Sequence, residues 1–299
     1  MRVVSVLPSA TETVFALGHG ADLVGRSSEC DFPEAARVLP EVMRPRVWDA
    51  DSSSASIDDR VRAARAREES LYVLDIPLLR ELEPDLLLTQ DLCGVCSVTG
   101  AEVRAACGEA GVEPEIVSLT PRTLGEVWTS IETVGRGLED ANAGEALATQ
   151  LRGRTRPPSA TEATRVAVVE WLDPPILAGL WVTEMVEAAG ATSLGPRAGE
   201  PGIRTSWEAI AAAGPDLVLL SPCSFSIGRT RSELADPRLR SEVTRCRRAR
   251  FGTFLADEAY FSRPGPRLAD GVDLMRHLIR NEAGKPPMPV APLPGEAPA

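Results

Sequence analysis

Six cysteines are spread over 299 residues, and four of them stand where metal or redox chemistry could use them. Cys93-Gly94-Val95-Cys96 is a C-x-x-C pair, a spacing that sets two thiolates on one metal or cluster and also suits a redox dithiol. Cys30 and Cys223 each follow a short apolar run in a different half of the chain. Any one buried cysteine is equally well a small hydrophobe. Four of them at the ends of strand-like runs point instead to one metal-binding set: Cys30, Cys93, Cys96 and Cys223. Thiolate-rich sets favour zinc or iron–sulfur clusters over magnesium or calcium. A closed four-cysteine zinc site would be structural, whereas a 4Fe–4S cluster on three cysteines leaves one iron open to a small ligand. The cluster is the expected cofactor and zinc the alternative. Cys107, in a helical stretch, and Cys246, in the basic run Arg245–Arg248, are expected to be structural.

Around these thiols lie further candidates. Glu170-Trp171-Leu172-Asp173-Pro174-Pro175 puts two carboxylates after a buried strand. They form either a solvated turn or an acid/base pair, Glu170 and Asp173, with Trp171 and Trp181 walling a pocket. Tyr260-Phe261-Ser262-Arg263-Pro264-Gly265-Pro266-Arg267 is a loop stiffened by two prolines. It is either a structural corner or a rigid mount that lets Tyr260 and Arg263 meet an anion, with Phe261 against the ligand. Ser9 and Thr11 open a helix whose free N–H groups could face the same ligand, although Ser9-Ala10-Thr11-Glu12 also has capping-box spacing. Gln90 precedes the C-x-x-C loop, and Trp48 precedes a polar stretch that could approach the site.

The elements that must position these residues alternate short Val/Leu-rich runs with longer amphipathic ones, the pattern of parallel βα units. Strands are predicted at Val3–Leu7, Leu23–Gly25, Leu86–Leu88, Val166–Val169 and Leu217–Leu220. Two phrases echo each other: Pro84-Asp85-Leu86-Leu87-Leu88 runs on to Cys93, and Pro215-Asp216-Leu217-Val218-Leu219-Leu220 runs on to Cys223. The fold class is therefore α/β, with two Rossmann-like lobes. The expected boundaries are an N-terminal lobe over 1–122, a helical backbone over 123–156, a second lobe over 157–284 and a disordered tail over 285–299. The ligand is expected in the cleft between lobes, where strand carboxyl ends converge.

Bulk composition narrows the partners. With 32 Lys and Arg against 43 Asp and Glu, the net charge is −11, which argues against a general nucleic-acid surface. No stretch reaches the roughly 18 apolar residues of a membrane span, and Pro8 stops the only apolar run near the start. A cytoplasmic address with reduced thiols is the expectation. The partner is a small molecule or metal chelate.

Taken together, Leu7-Pro8-Ser9-Ala10-Thr11-Glu12, Val24–Pro33, Ser206-Trp207-Glu208 and Tyr260–Arg267 resemble the cobalamin-type substrate-binding proteins of ABC importers, those with a helical backbone between lobes. The resemblance covers about residues 1–281. It implies a ligand clamped between two lobes, a member of the cobalamin, heme or iron–siderophore group, and it adds a corrinoid to the candidate cofactors. The cysteines depart from that pattern and suggest a cytosolic, cysteine-rich branch. Three functions remain in view: a carrier of a metal-containing ligand, a metalloenzyme acting on a small anion through Glu170, Asp173, Tyr260 or Arg263, and a transport binding protein.

Overall fold

The computed structural model describes residues 1–49, 51–91, 98–159, 164–281 and 284–294. The chain forms two compact units, one built from Met1–Ser52, Ser56–Pro121 and Glu126–Leu151 and the other mainly from Arg152 onward.

The first unit holds strands β1 (Val3–Ser5), β2 (Leu23–Ser27), β3 (Glu41–Pro45), β4 (Tyr72–Leu74), β5 (Leu86–Thr89) and β6 (Glu115–Ser118). Their order is β4-β3-β2-β1-β5-β6, parallel throughout except that β4 runs against β3. The connections after β1 go to one side and β5 lies on the other, so the topological switch falls between β1 and β5. Its helices are α1 (Pro8–Ala16), α2 (Ser54–Ala66), α3 (Ile76–Leu82) and α4 (Gly100–Ala110), followed by α5 (Leu124–Gly137) and α6 (Ala141–Arg154), most of whose residues also belong here. Val3, Leu7, Val14, Leu86 and Leu88 pack with Val134 of α5 and Leu138 just beyond it in one apolar core. Each such side chain removed from water contributes about 1.5–3 kcal/mol.

The second unit holds β7 (Arg165–Leu172), β8 (Pro175–Leu177), β9 (Thr192–Ser193), β10 (Ile203–Arg204), β11 (Leu217–Leu220), β12 (Thr253–Ala256) and β13 (Val290–Pro292). Here β7, β11 and β12 run parallel, β8 and β13 are antiparallel additions, and β7 and β11 meet at the switch. Helices α7 (Val182–Ala188), α8 (Trp207–Ala212), α9 (Ile227–Glu233), α10 (Pro237–Val243) and α11 (Leu268–Ile279) complete it. Trp207 is fully packed among Leu172, Ile210, Leu220 and their neighbours, and its indole N–H donates to the Leu172 carbonyl at 3.2 Å.

The echo seen in the sequence is physical. In the first unit the Arg2 N–H donates to the Asp85 carboxylate at 2.7 Å, the Asp85 N–H returns to the Arg2 carbonyl, and the Arg2 side chain reaches Leu82 O. In the second, Arg165 and Asp216 exchange the same two bonds, at 2.8 and 2.7 Å, and the Arg165 side chain reaches Ala213 O. Each Pro-Asp phrase thus clamps the start of the first strand beside it.

Within the segment 123–156 the chain turns at Leu138–Asp140, and α6 packs against α5 at a Gly135–Gly144 contact. A Cβ on Gly135 would sit 2.8 Å from the Gly144 Cα, so only glycine permits that approach. One expectation is corrected: the stretch from 285 is not all tail, because β13 pairs with β12 through Phe254–Pro292 and its neighbours.

A charged cluster ties α1 to the α5–α6 turn. His19 Nδ1 lies 2.8 Å from Asp22 and its Nε2 3.5 Å from Asp140. The hydrogen bond to Asp22, above all, raises the His19 pKa from its ordinary 6.5. A raised histidine stabilises the fold fully below the unfolded value and loses that contribution as pH climbs through the folded one. Stability should therefore step down above about pH 6.5, and His19→Gln should abolish the step. Thermal melts across pH 5–9 check this, and an unchanged step in the variant would assign it elsewhere.

Candidate functional site

In the first unit, the carboxyl ends of β2, β1 and β5 lie side by side. β1 hands the chain directly to α1, whose N-cap is Leu7 and whose first turn has Pro8, with no side-chain cap. Ser9 therefore does not cap, contrary to the capping-box expectation. Its hydroxyl is buried with no hydrogen-bond partner among the described residues, as is the hydroxyl of Ser28 just beyond β2. Thr11 donates to the Ser5 hydroxyl at 2.9 Å or to the Cys30 sulfur at 3.1 Å, and Cys30 itself is wholly buried. Cys30 is thus held against the α1 entrance, with its sulfur also 3.8 Å from the Ser5 carbonyl.

Beyond β5, Gln90 is buried, and Asp91 accepts from the Gly100 N–H at 2.5 Å and the Ser118 hydroxyl at 2.8 Å. The bond from Gly100, chiefly, keeps the Asp91 carboxyl below its usual range. Thr99 and Glu102 then start α4 with a complete capping box. Cys93 and Cys96 lie outside the described residues. Their anchors on either side are nonetheless fixed at the switch-point end of β5. Trp48, half-buried, stacks edge-on against Tyr72 at 5.4 Å, which gives it a packing role at β4.

In the second unit, the ends of β7, β11 and β12 converge. The Cys223 N–H donates to Glu170 O at 3.0 Å and the Ser221 hydroxyl to Asp257 O at 3.3 Å. The Cys223 thiol lies 3.4 Å from the Ser262 hydroxyl, so β11 and the Tyr260 loop meet at sulfur. Trp171 stacks edge-on with Phe225 at 5.7 Å, and its indole N–H is buried without a partner. The half-buried Glu170 abuts Gly202, where a Cβ would also come within 2.9 Å of Leu177 O. Tyr260 is held protonated by burial, with Arg267 over its ring.

Four sequence candidates take other roles. Asp173 forms an ion pair with Arg238 of α10, so its charge goes to fastening the β7–β8 turn. Arg263 pairs with Glu258 at 2.6 Å, both side chains being nearly buried. Phe261 is 1% exposed and Trp181 5%, and the Trp181 indole donates to Phe261 O at 2.7 Å. That pair locks the loop from inside rather than walling a pocket. Cys107 and Cys246 are buried away from these strand ends; burial raises both thiols, Cys246 to about 11, and keeps them protonated. The sequence reading missed Ser5, Ser28 and Ser262, small hydroxyls whose position beside sulfur or at a strand end leaves no mark in spacing. Among the described residues no group of three His, Cys, Asp or Glu converges as a metal site, and no helix is long and apolar enough to cross a membrane.

No protein-family model and no curated protein matches this sequence. Solved structures do match. A periplasmic heme-binding protein from Pseudomonas aeruginosa superposes with a TM-score of 0.70 at 20% identity, over 99% of both chains. The periplasmic heme-binding protein BhuT, in complex with two hemes, gives 0.63 at 23%, over 94% of this chain and 98% of its own. The periplasmic vitamin B12 binding protein BtuF of Vibrio cholerae gives 0.61 at 18%, over 94% and 96%. Identities this low speak to architecture alone, and on that evidence the chain has the fold of the helical-backbone, class III periplasmic substrate-binding proteins.

Proposed function

We propose that this protein binds a metal-containing small molecule at the carboxyl ends of its parallel strands. One observation carries the reading. Among the described residues, three of the five buried side-chain polar atoms without a partner (Ser9 Oγ, Ser28 Oγ and Trp171 Nε1) sit at those strand ends. Buried polar groups are almost always satisfied, so orphans gathered on binding faces are best explained by a ligand that supplies the missing bonds. A protein of the same fold in complex with two hemes, and another named as a vitamin B12 binding protein, support a corrinoid or porphyrin as the ligand class.

A second reading is favoured by the thiols. Cys30, positioned by Thr11 in the first unit, and Cys223, beside Ser262 in the second, each lie just beyond the carboxyl end of a parallel strand. The two cysteines of the C-x-x-C pair follow β5 in the sequence. Soft sulfur donors fit a thiolate-held centre, a 4Fe–4S cluster or zinc, better than they fit hard cations. His19, committed to Asp22 and Asp140 at the far end of α1, does not offer an axial ligand there. Bound iron would supply Lewis acidity or electron transfer. The chain's own part is to bind, orient and exclude water, with Glu170 and Tyr260 the remaining proton-handling groups. Cytoplasmic placement belongs to this second reading, since reduced thiols remain available as donors there.

Absorption spectra of protein purified without oxygen, then titrated with hydroxocobalamin and with hemin, separate the readings. Sharp corrin or porphyrin bands that saturate at one equivalent support the first. Broad visible absorbance with matching iron and sulfide supports the second. Protein that is colourless, zinc-free and indifferent to both chelates would reject the proposal.

A further inference from the structure

We propose that α9, α10 and the turn after them form a docking surface for an acidic, apolar-centred peptide segment of a partner protein. This inference is independent of what the strand ends bind.

The stretch 227–250 carries eight arginines and three carboxylates, an excess of five positive charges. Because the whole chain is −11, everything outside this stretch carries sixteen more negative than positive charges. Arg231, Arg238, Arg240, Arg245, Arg248 and Arg250 are all exposed. Arg238 is spent on Asp173 and Glu242, and Arg250 lies over the Phe251 ring. Arg231, Arg245 and Arg248 form no ion pair among the described residues. Solubility alone does not call for so many unpaired guanidinium groups together on an otherwise acidic protein.

The patch also has a shape. Arg231 of α9 and Arg240 of α10 flank a notch of about 380 Å³ whose floor is Leu234, Ala235, Pro292 and Pro294. Arg240 is steadied there by a hydrogen bond to Pro294 O at 3.2 Å. Guanidinium groups prefer planar carboxylates, which they can grip through two parallel N–H bonds. An apolar floor between two such groups fits a Leu or Phe side chain with Glu or Asp on either side.

Size selects among anions. α9 and α10 have seven residues each, about 10 Å of helix. At physiological salt, charge is felt over about 8 Å. A short acidic segment therefore experiences the arginines alone. Nucleic acid or an anionic bilayer extends past the patch and meets the acidic remainder of the surface.

The test uses the full-length protein and a fluorescent peptide with a central Leu-Phe pair flanked by glutamates, read by anisotropy. Binding should saturate and weaken with salt. Arg231→Glu combined with Arg240→Glu should weaken it roughly tenfold. Both residues are exposed, so the melting temperature should hold, and Arg245→Glu with Arg248→Glu provides a second variant expected to weaken binding less. The proposal is overturned by equal binding to the reversed protein. It is equally overturned if an all-glutamate peptide binds as tightly, or if single-stranded DNA or phosphatidylserine vesicles bind more tightly than the Leu-Phe peptide.

Discussion

Arg263→Met should cost the protein about 3–5 kcal/mol of stability, because it takes the guanidinium partner from the nearly buried Glu258 carboxylate. The two charges lie 2.6 Å apart with side chains 11% and 6% exposed, so little water reaches either. Methionine fills the space but supplies no donor. The double variant Arg263→Met with Glu258→Gln removes both charges and should recover most of the loss, since replacing a whole buried pair is often close to neutral. Unfolding in denaturant, followed by tryptophan fluorescence, would report the Trp171 and Trp181 surroundings beside this loop. With two units in one chain the transition need not be single, so the comparison rests on the phase that these tryptophans report. A single variant within about 1 kcal/mol of wild type would show that solvent already screens the pair. The same substitution tests function: if Arg263 steadies the loop rather than touching an anion, the double variant should keep its ligand.

That result bears on which parts of the site could be read beforehand. Arg263 beside two prolines looked like a rigid anion mount, and the Trp181 indole does hold the loop at Phe261 O. Its charge, however, is used three-dimensionally, by a glutamate five residues earlier that turns back over the loop. Asp173 went the same way, to Arg238 sixty-five residues on. Spacing along the chain shows which groups are near a strand end; it does not show which opposite charge the next helix brings. Trp181 and Phe261 carried the same ambiguity. An aromatic residue near a loop is a ligand wall or a peg, and only the indole bond to Phe261 O decides for the peg.

The architecture was far more legible, for a local reason. Strands of a parallel sheet are buried on both faces, so they appear as uninterrupted Val/Leu runs that no amphipathic helix imitates. The Pro-Asp phrases were readable as a repeat because each aspartate does one job, clamping the start of the neighbouring strand with its carboxylate and its own N–H. Where the reading failed, a contact between segments decided. The close approach of α5 and α6 was not legible, because Gly135 and Gly144 let two backbones touch and neither glycine is distinguishable in sequence from a flexible one. Residues 290–292 looked like tail because two prolines flank Val290 and Ala291. An edge strand tolerates them, since only one of its sides has to pair.

Serine replacement of Cys93 or Cys96 should strip the metal almost completely if the strand-end thiols hold a centre, whereas Cys107→Ala should leave it intact. The topology gives the motivation. In each unit the strand across the switch from the first one, β5 or β11, runs into a cysteine-bearing segment, and ligands in open α/β sheets bind at that position. Cys30 belongs to the same end of the first sheet and already has the Thr11 hydroxyl against its sulfur. Serine keeps the volume but is a poor donor to a soft metal, so loss of metal would report lost ligation rather than lost packing. At Cys30 serine can also keep the bond to Thr11, which makes Cys30→Ser the most conservative of the set. Cys107 and Cys246 have thiols raised by burial and no charge to offer, so they serve as internal controls. Alanine is used at Cys107 because a buried hydroxyl there would bring its own desolvation cost. Cys223→Ser should give the smaller effect if its sulfur, facing Ser262, contacts ligand rather than metal. The measurement is iron, zinc and acid-labile sulfide per chain in each purified variant, with the melting temperature taken alongside to confirm folding. Equal metal content in the Cys93→Ser and Cys107→Ala proteins would end the case for a thiolate-held centre and leave the chelate-binding reading alone.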